Sequence, residues 1–323
     1  MCNTKVMNSS GLNFYIDEIA RLKREKNAII LAHYYQTADI QDIADFVGDS
    51  LALSQKAAAN NADIILFAGV KFMAETAKIL SPEKKVLLPD MLAGCSLADS
   101  CTEDEFKKFK EDNPGRTVIT YVNSTTEIKA MSDIICTSSN AAKIVESLPA
   151  DEKIIFAPDR NLGNYILNLT GRDIKVWNGT CHVHEEFSLE AILTLKKENQ
   201  DAKIIVHPEC EFPVRMIADF IGSTAALLEY TKKDDSNVYI IATEAGIIHQ
   251  MKKANPEKTF IAAPPRDSTC GCSECNFMKL ITIEKIYKCL LNEDPQIFIN
   301  EGLMDQARIP IKRMLDMSSK LNI

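Results

Sequence analysis

Short apolar runs alternate along the chain with longer stretches in which apolar residues recur at helical spacing. AIIL from Ala28, DIILF from Asp63, TVIT from Thr117, KIIF from Lys153, KIIV from Lys203 and VYII from Val238 show no polar alternation. Strands of that kind are buried on both faces, as in parallel sheets covered by helices. Helical spacing is found over 50–59, 71–80, 140–147, 187–198 and 283–291, the last being the IEKIYKCLL of the tail, with another helix around MDQARIPIKRML. The alternation predicts an α/β fold of parallel sheets with crossover helices. The first dozen and the last few residues read as disordered.

The pattern is written three times. AIILAHYYQ, TVITYVNST and KIIVHPECE each end on polar groups two apart, namely His33/Tyr35, Tyr121/Asn123 and His207/Glu209. The period is 88 residues from His33 to Tyr121 and 86 from there to His207. Seventeen residues past each first member stand Ser50, Ser138 and Thr224, in DFVGDS, DIICTS and DFIGST. Two more apolar runs follow in each copy, and then cysteine: Cys95, Cys181 and the cluster Cys270, Cys272, Cys275. Such a repeat predicts three similar lobes, over 1–100, 101–186 and 187–323, the last carrying the extra C-terminal helices. Ligands of open α/β sheets bind beyond the carboxyl ends of the strands. If an approximate threefold axis relates the lobes, the polar pairs and three thiols converge on it.

Ser50, Ser138 and Thr224 directly precede helical patterns and read as N-caps, which are also ready anion sites. Of five histidines, His33 and His207 hold equivalent places in the repeat and suit acid–base work or anion binding. His182, next to Cys181, reads as orienting the cysteine loop, and His249 as structural. Tyr35, Tyr121 and Glu209 add proton-transfer groups, and burial of Glu209 at a strand end is expected to raise its pKa toward neutrality.

Charge and composition narrow the chemistry. A net charge of −8 without a basic stripe excludes a nucleic-acid binder. No apolar run reaches the roughly 20 residues that span a bilayer, and MCNTKVMNSSG lacks the apolar core of a signal peptide, so a cytoplasmic location is expected. Ten cysteines in a reducing compartment do not read as a disulfide framework. Cys2, Cys136, Cys210 and Cys289 have no partner in the repeat and read as packing. One thiol per lobe remains. Three thiolates can hold a [4Fe–4S] cluster with one open iron acting as a Lewis acid, and a zinc-stabilised binding protein is the competing reading. Spacing alone favours Cys270 in the third lobe: the cysteine follows the hydroxyl by 45 and 43 residues in the first two copies, and by 46, 48 or 51 in the third.

Taken together, AHYYQ at Ala32, VGDSLALS at Val47, PDMLAGCSL at Pro89, TYVNST at Thr120, CTSSNA at Cys136, WNGTCHVHEEF at Trp177, VHPEC at Val206, GSTA at Gly222 and CSECNFM at Cys272 resemble the quinolinate synthases over essentially the whole chain. The resemblance implies three Rossmann-like parallel α/β/α domains around a pseudo-threefold axis, with one [4Fe–4S] cluster at their junction. It implies condensation of iminoaspartate with dihydroxyacetone phosphate to quinolinate in de novo NAD biosynthesis, with an aspartate-oxidising enzyme as the partner that would supply iminoaspartate. It puts the cluster ligands at Cys95, Cys181 and Cys275, the motif here overriding the spacing, and leaves Cys270 and Cys272 without a role. It puts substrate contacts at His33, Ser50, Tyr121, Asn123, Ser138, His207, Glu209 and Thr224, with Tyr35, Tyr121, His207 and Glu209 catalytic. Another [4Fe–4S] hydro-lyase acting on a hydroxy acid is the alternative activity.

Overall fold

The computed structural model describes residues 9–266 and 273–322. Twelve strands form three four-stranded parallel sheets. The first holds β1 (Ala28–His33), β2 (Phe46–Gly48), β3 (Ile64–Ala68) and β4 (Lys85–Leu87). The second holds β5 (Thr117–Tyr121), β6 (Ile134–Cys136), β7 (Ile154–Ala157) and β8 (Ile174–Val176). The third holds β9 (Lys203–Val206), β10 (Phe220–Ile221), β11 (Val238–Ala242) and β12 (Thr259–Ala262). Each has the same order, second–first–third–fourth. The central strands are buried along their length, as their unbroken apolar runs require.

One carboxylate per sheet fixes the register of the edge strand. Asp45, Asp133 and Asp219 precede β2, β6 and β10, and their side chains accept the backbone N–H of Ile30, Val118 and Ile204 at 2.7, 2.8 and 2.8 Å. The backbone N–H of the same aspartates returns to the carbonyls of those residues. This two-way clamp explains the D opening each of DFVGDS, DIICTS and DFIGST.

Helices occupy Ser50–Ala58, Lys71–Leu80, Ala141–Ser147, Leu189–Glu198 and Ile283–Asn292, close to the expected spans. The fourth starts two residues late because Ser188 caps it, accepting from the Ala191 N–H, while Phe187 bridges to Pro265. A helix over Ser9–Glu25 covers part of the first dozen residues expected to be disordered, and residues 1–8 lie outside those described. The last helix, Glu301–Lys320, leaves little of the tail irregular. Cys136, Cys210 and Cys289 are buried, as is Cys101, whereas Cys2, Cys270 and Cys272 lie outside the described residues.

The tail returns to the first two sheets. Helix Ile283–Asn292 packs on Ser9–Glu25, with Tyr287 against Phe14 and Tyr15. Residues 295–297 run along β4, where Ile297 N–H reaches the Val86 carbonyl. Helix Glu301–Lys320 packs on β6 and on helices Lys71–Leu80 and Thr126–Ala130. One contiguous apolar core therefore joins the first two sheets to the tail. The faces of the third sheet are packed by two separate clusters.

Candidate active site

Beyond the carboxyl ends of the strands lies a cavity of about 690 Å³, its mouth included. His33, Tyr35, Ser50 and Cys95 line it from the first copy of the repeat. Tyr121, Asn123, Ser138 and Cys181 come from the second, and His207, Glu209, Thr224 and Cys275 from the third. All twelve side chains singled out from the sequence thus face one space.

The two strand-end histidines share a device. His33 Nδ1 accepts the Tyr35 N–H at 3.2 Å, and His207 Nδ1 accepts the Glu209 N–H at 3.3 Å. That leaves Nε2 to carry the proton in the neutral ring. In His207 it reaches Ser138 Oγ at 3.2 Å. Burial pushes the pKa of both rings down to about 3, so both are neutral donors near pH 7.

Glu209 departs from expectation. Burial opposes its charge, but the His184 ring hydrogen-bonded to it prevails and holds the carboxyl below the usual carboxylate range. His184 Nδ1 lies 2.8 Å from Glu209 Oε2, while Oε1 is buried without a hydrogen-bond partner among the described residues. His184, which the sequence reading passed over, continues a chain: its Nε2 lies 2.9 Å from Thr243 Oγ1, which lies 2.8 Å from the Tyr35 hydroxyl. Tyr35 in turn meets Thr224 Oγ1 at 2.8 Å. With the His184 Nδ1 proton on Glu209, the hydroxyl protons run from Thr224 through Tyr35 and Thr243 to His184. The signal in the sequence was the spacing: Cys181 and His184 are three apart on one helical turn, and their Sγ and Nδ1 lie 3.2 Å apart. Asn123 Oδ1 is a second buried acceptor without a partner among the described residues. Such atoms suit a polar ligand.

The helix-end hydroxyls are not the caps. Asp49 and Ser223, one residue earlier, accept from Ala52 and Ala226 N–H, and in the second copy the helix begins only after Asn140. Ser50, Ser138 and Thr224 are thereby free of capping. His182 does tie cysteine loops together: its Nδ1 meets Ser96 Oγ at 2.9 Å and its ring packs edge-on against Phe277. Ser96, His182 and Phe277 follow Cys95, Cys181 and Cys275 closely, so the three loops touch. His249 bonds Asp42 at the surface, in keeping with a structural role.

Each thiol sits at the start of a tight turn whose backbone N–H groups point at the sulfur: Leu97 and Ala98 for Cys95, His184 for Cys181, Phe277 and Met278 for Cys275. Burial outweighs those donors, raising Cys95 to about 12 and lifting the other two as well. The thiols are close enough that Cys275 raises Cys95 further, and Cys95 raises Cys181. Soft sulfur ligands of this kind select iron–sulfur clusters, zinc or copper(I). Buried carboxylates at equivalent strand ends hold two of the loops. Asp159 accepts the Leu162 N–H at 2.7 Å and stands beside the Cys181 backbone. Glu244 accepts the Cys275 N–H at 3.1 Å and pairs at 2.9 Å with Lys279, which also donates to the Tyr35 carbonyl. Burial raises the Glu244 carboxyl to about 6 against that pairing.

The family model described as NadA, quinolinate synthetase A protein, matches residues 17–316. The quinolinate synthase of Synechococcus sp. is 60% identical over 301 residues, 93% of this chain and 94% of its own. That of Thermosynechococcus vestitus is 59% identical over 300 residues, covering 93% and 94%. That of Synechocystis sp. is 58% identical over 303 residues, covering 94% and 95%. With a family model and near-full-length relatives in agreement, the chain belongs to the quinolinate synthetase A family of enzymes.

Proposed function

We propose that this chain condenses iminoaspartate with dihydroxyacetone phosphate to quinolinate, releasing phosphate and water, and that Cys95, Cys181 and Cys275 hold one [4Fe–4S] cluster. The observation that carries the reading is the meeting of three thiols, two neutral histidines and an anionic glutamate in one cavity that belongs to this family. We further infer three lobes, 1–100, 101–186 and 187–323, set around an approximate threefold axis. The repeated strand order and the touching cysteine loops support that arrangement. An aspartate-oxidising enzyme would supply the imine.

The donor set fits the cluster, with three thiols supplied with N–H donors and a cavity wall beside them for a substrate oxygen. When bound, the cluster supplies an open iron that acts as a Lewis acid toward a hydroxyl or carboxylate. The protein does the rest. Ser50, Ser138, Thr224 and His33 hold the carboxylates of iminoaspartate, their hydroxyls and Nε2–H acting as neutral donors. His207 Nε2–H holds the phosphate or hydroxyl end of the triose. Glu209, anionic with Oε1 open, accepts a proton during triose isomerisation. The Thr224–Tyr35–Thr243–His184 chain moves protons between the cavity and the His184–Glu209 pair: with Thr224 donating to Tyr35 it takes a proton in, and once Thr224 turns its proton to a substrate carboxylate the bonds reverse and it gives one back. Tyr121 and Asn123 orient the intermediate along the cysteine side.

Anaerobic purification with iron, sulfide and quinolinate assays tests the whole. The wild type should be brown and convert the triose phosphate pair, leaving citrate-like and tartrate-like acids unconverted. Cys95→Ser should lose colour and activity together, and a colourless variant of full activity would end the cluster assignment. Tyr35→Phe should keep its iron and lose about 10²–10⁴ in kcat, the usual worth of a positioned proton donor. Wild-type turnover in that variant would remove Tyr35 from the relay.

A further inference from the structure

Next to each of the three helix-end hydroxyls stands a residue given no part in the chemistry above, Asp49 also lining the cavity wall, and these three residues are bonded in a run. Ser139 Oγ lies 2.6 Å from Asp49 Oδ2 and 2.9 Å from Ser223 Oγ. Asp49 Oδ1 accepts the Ala52 N–H at 3.0 Å, and Ser223 Oγ accepts the Ala226 N–H at 3.3 Å. The protons admit one direction. A carboxylate only accepts, so Ser139 donates to Asp49. Ser223 then donates to Ser139 while accepting from Ala226. The result is a closed run, with every group used, from the start of helix Thr224–Lys233 to the start of helix Ser50–Ala58 by way of the turn before Ala141–Ser147.

We propose that Asp49, Ser139 and Ser223 are positioning residues that set the spacing of Ser50, Ser138 and Thr224, and so match the cavity to the two carboxylates of a dicarboxylate. The inference rests on the function proposed above. Each linked residue is covalently next to a cavity hydroxyl, so a shift of one helix end carries its hydroxyl with it. Asp49 and Ser223 are buried, where a hydrogen bond is not exchanged with water. The apolar clusters of the third sheet are separate from the core shared by the first two. Placement of Thr224 relative to Ser50 and Ser138 is therefore set in part by polar links between lobes: the Tyr35–Thr243–His184 chain joins all three inside the cavity, and this run joins all three at the helix ends. Ser139 is the central link because it touches both neighbours with one hydroxyl.

The test is steady-state kinetics on anaerobically loaded enzyme, with the inhibition constant of quinolinate, the melting temperature and iron content measured alongside. Loss of a hydrogen bond to a charged group is worth about tenfold or more. Ser139→Ala should raise KM for iminoaspartate and the quinolinate inhibition constant about tenfold, with kcat changed less than about threefold and iron content unchanged. Ser139→Thr should restore both constants, because it keeps the hydroxyl. Asp49→Asn keeps an acceptor for Ala52 N–H but loses the anionic acceptor for Ser139. It should follow Ser139→Ala, and it decides the matter if that variant folds poorly. Unchanged KM and inhibition constant in both variants, or a loss of stability that threonine does not repair, would overturn the inference alone. A brown wild-type enzyme that makes no quinolinate would instead overturn the function on which it rests.

Discussion

His33 and His207 are held neutral by burial, with pKa values near 3, whereas in the unfolded chain each titrates near 6.5. Below about pH 6.5 the unfolded chain therefore binds protons that the folded chain does not. Stability falls as pH drops from about 6.5 toward 3 and is unaffected by these groups above that window. Well inside it each ring contributes about 1.4 kcal/mol per pH unit. Urea unfolding between about pH 7 and pH 5 should give a shallower pH slope for a His33→Gln, His207→Gln double variant than for wild type, and equal slopes would contradict the assignment. Glu244 makes a second prediction. Its carboxylate holds both the Cys275 N–H and Lys279, and glutamine keeps an acceptor but strands the cation. Glu244→Gln should weaken iron retention about 10–100-fold, read as iron per chain after timed exposure to a chelator. Retention equal to wild type would reduce Glu244 to packing. At this scale the sequence was partly legible. Residue identity at repeated positions located His33, His207 and the cysteines, but the charge state of Glu209 depended on His184, a neighbour on the short helix after Cys181 that no local spacing to Glu209 reveals.

Among the elements, the aspartate clamps are the repeated feature with the plainest energetic consequence. Removing the Asp133 side chain leaves the N–H of buried Val118, on an inner strand, short of an acceptor. Asp133→Ala should cost about 1–2 kcal/mol in urea unfolding, and Asp133→Asn, which can still accept, should cost less. A cost below a few tenths for alanine would show that water replaces the clamp. The strands were easy to read because nothing but a doubly covered parallel sheet uses IIL, IIF and VYII so freely. Helix starts were harder. The eye goes to the hydroxyl nearest the apolar pattern, but Asp49 and Ser223 stand one residue upstream and take the cap, because a cap must lie outside the first helical residue to reach back to the third N–H.

For the molecule as a whole, the triplicated sheets are what the sequence periodicity states most directly, and the path of the tail is what it conceals. Residues after Cys275 carry no repeat, so nothing local says that they leave the third sheet for the first two. Their destination is set by apolar surface: Ile311 and Met314 are fully buried in the shared core, and Asn140 donates to Ser318. Ile311→Ala should cost about 2–5 kcal/mol and move the first two sheets in a single cooperative transition, followed by far-UV circular dichroism. A biphasic curve with the first two sheets unmoved would show that the tail is peripheral. The returning tail also sets a timetable. Synthesis proceeds from the N-terminus at about 5–20 residues per second, so the seam between the first two sheets waits on the order of ten seconds or more after β4 emerges before its covering helices exist. The loop bearing Cys275 lies just ahead of those helices and is drawn in as they dock. Until residue 275 is made, a nascent chain lacks one of the three cavity thiols, so the set is completed only in the last stretch of synthesis, shortly before its covering helices can dock.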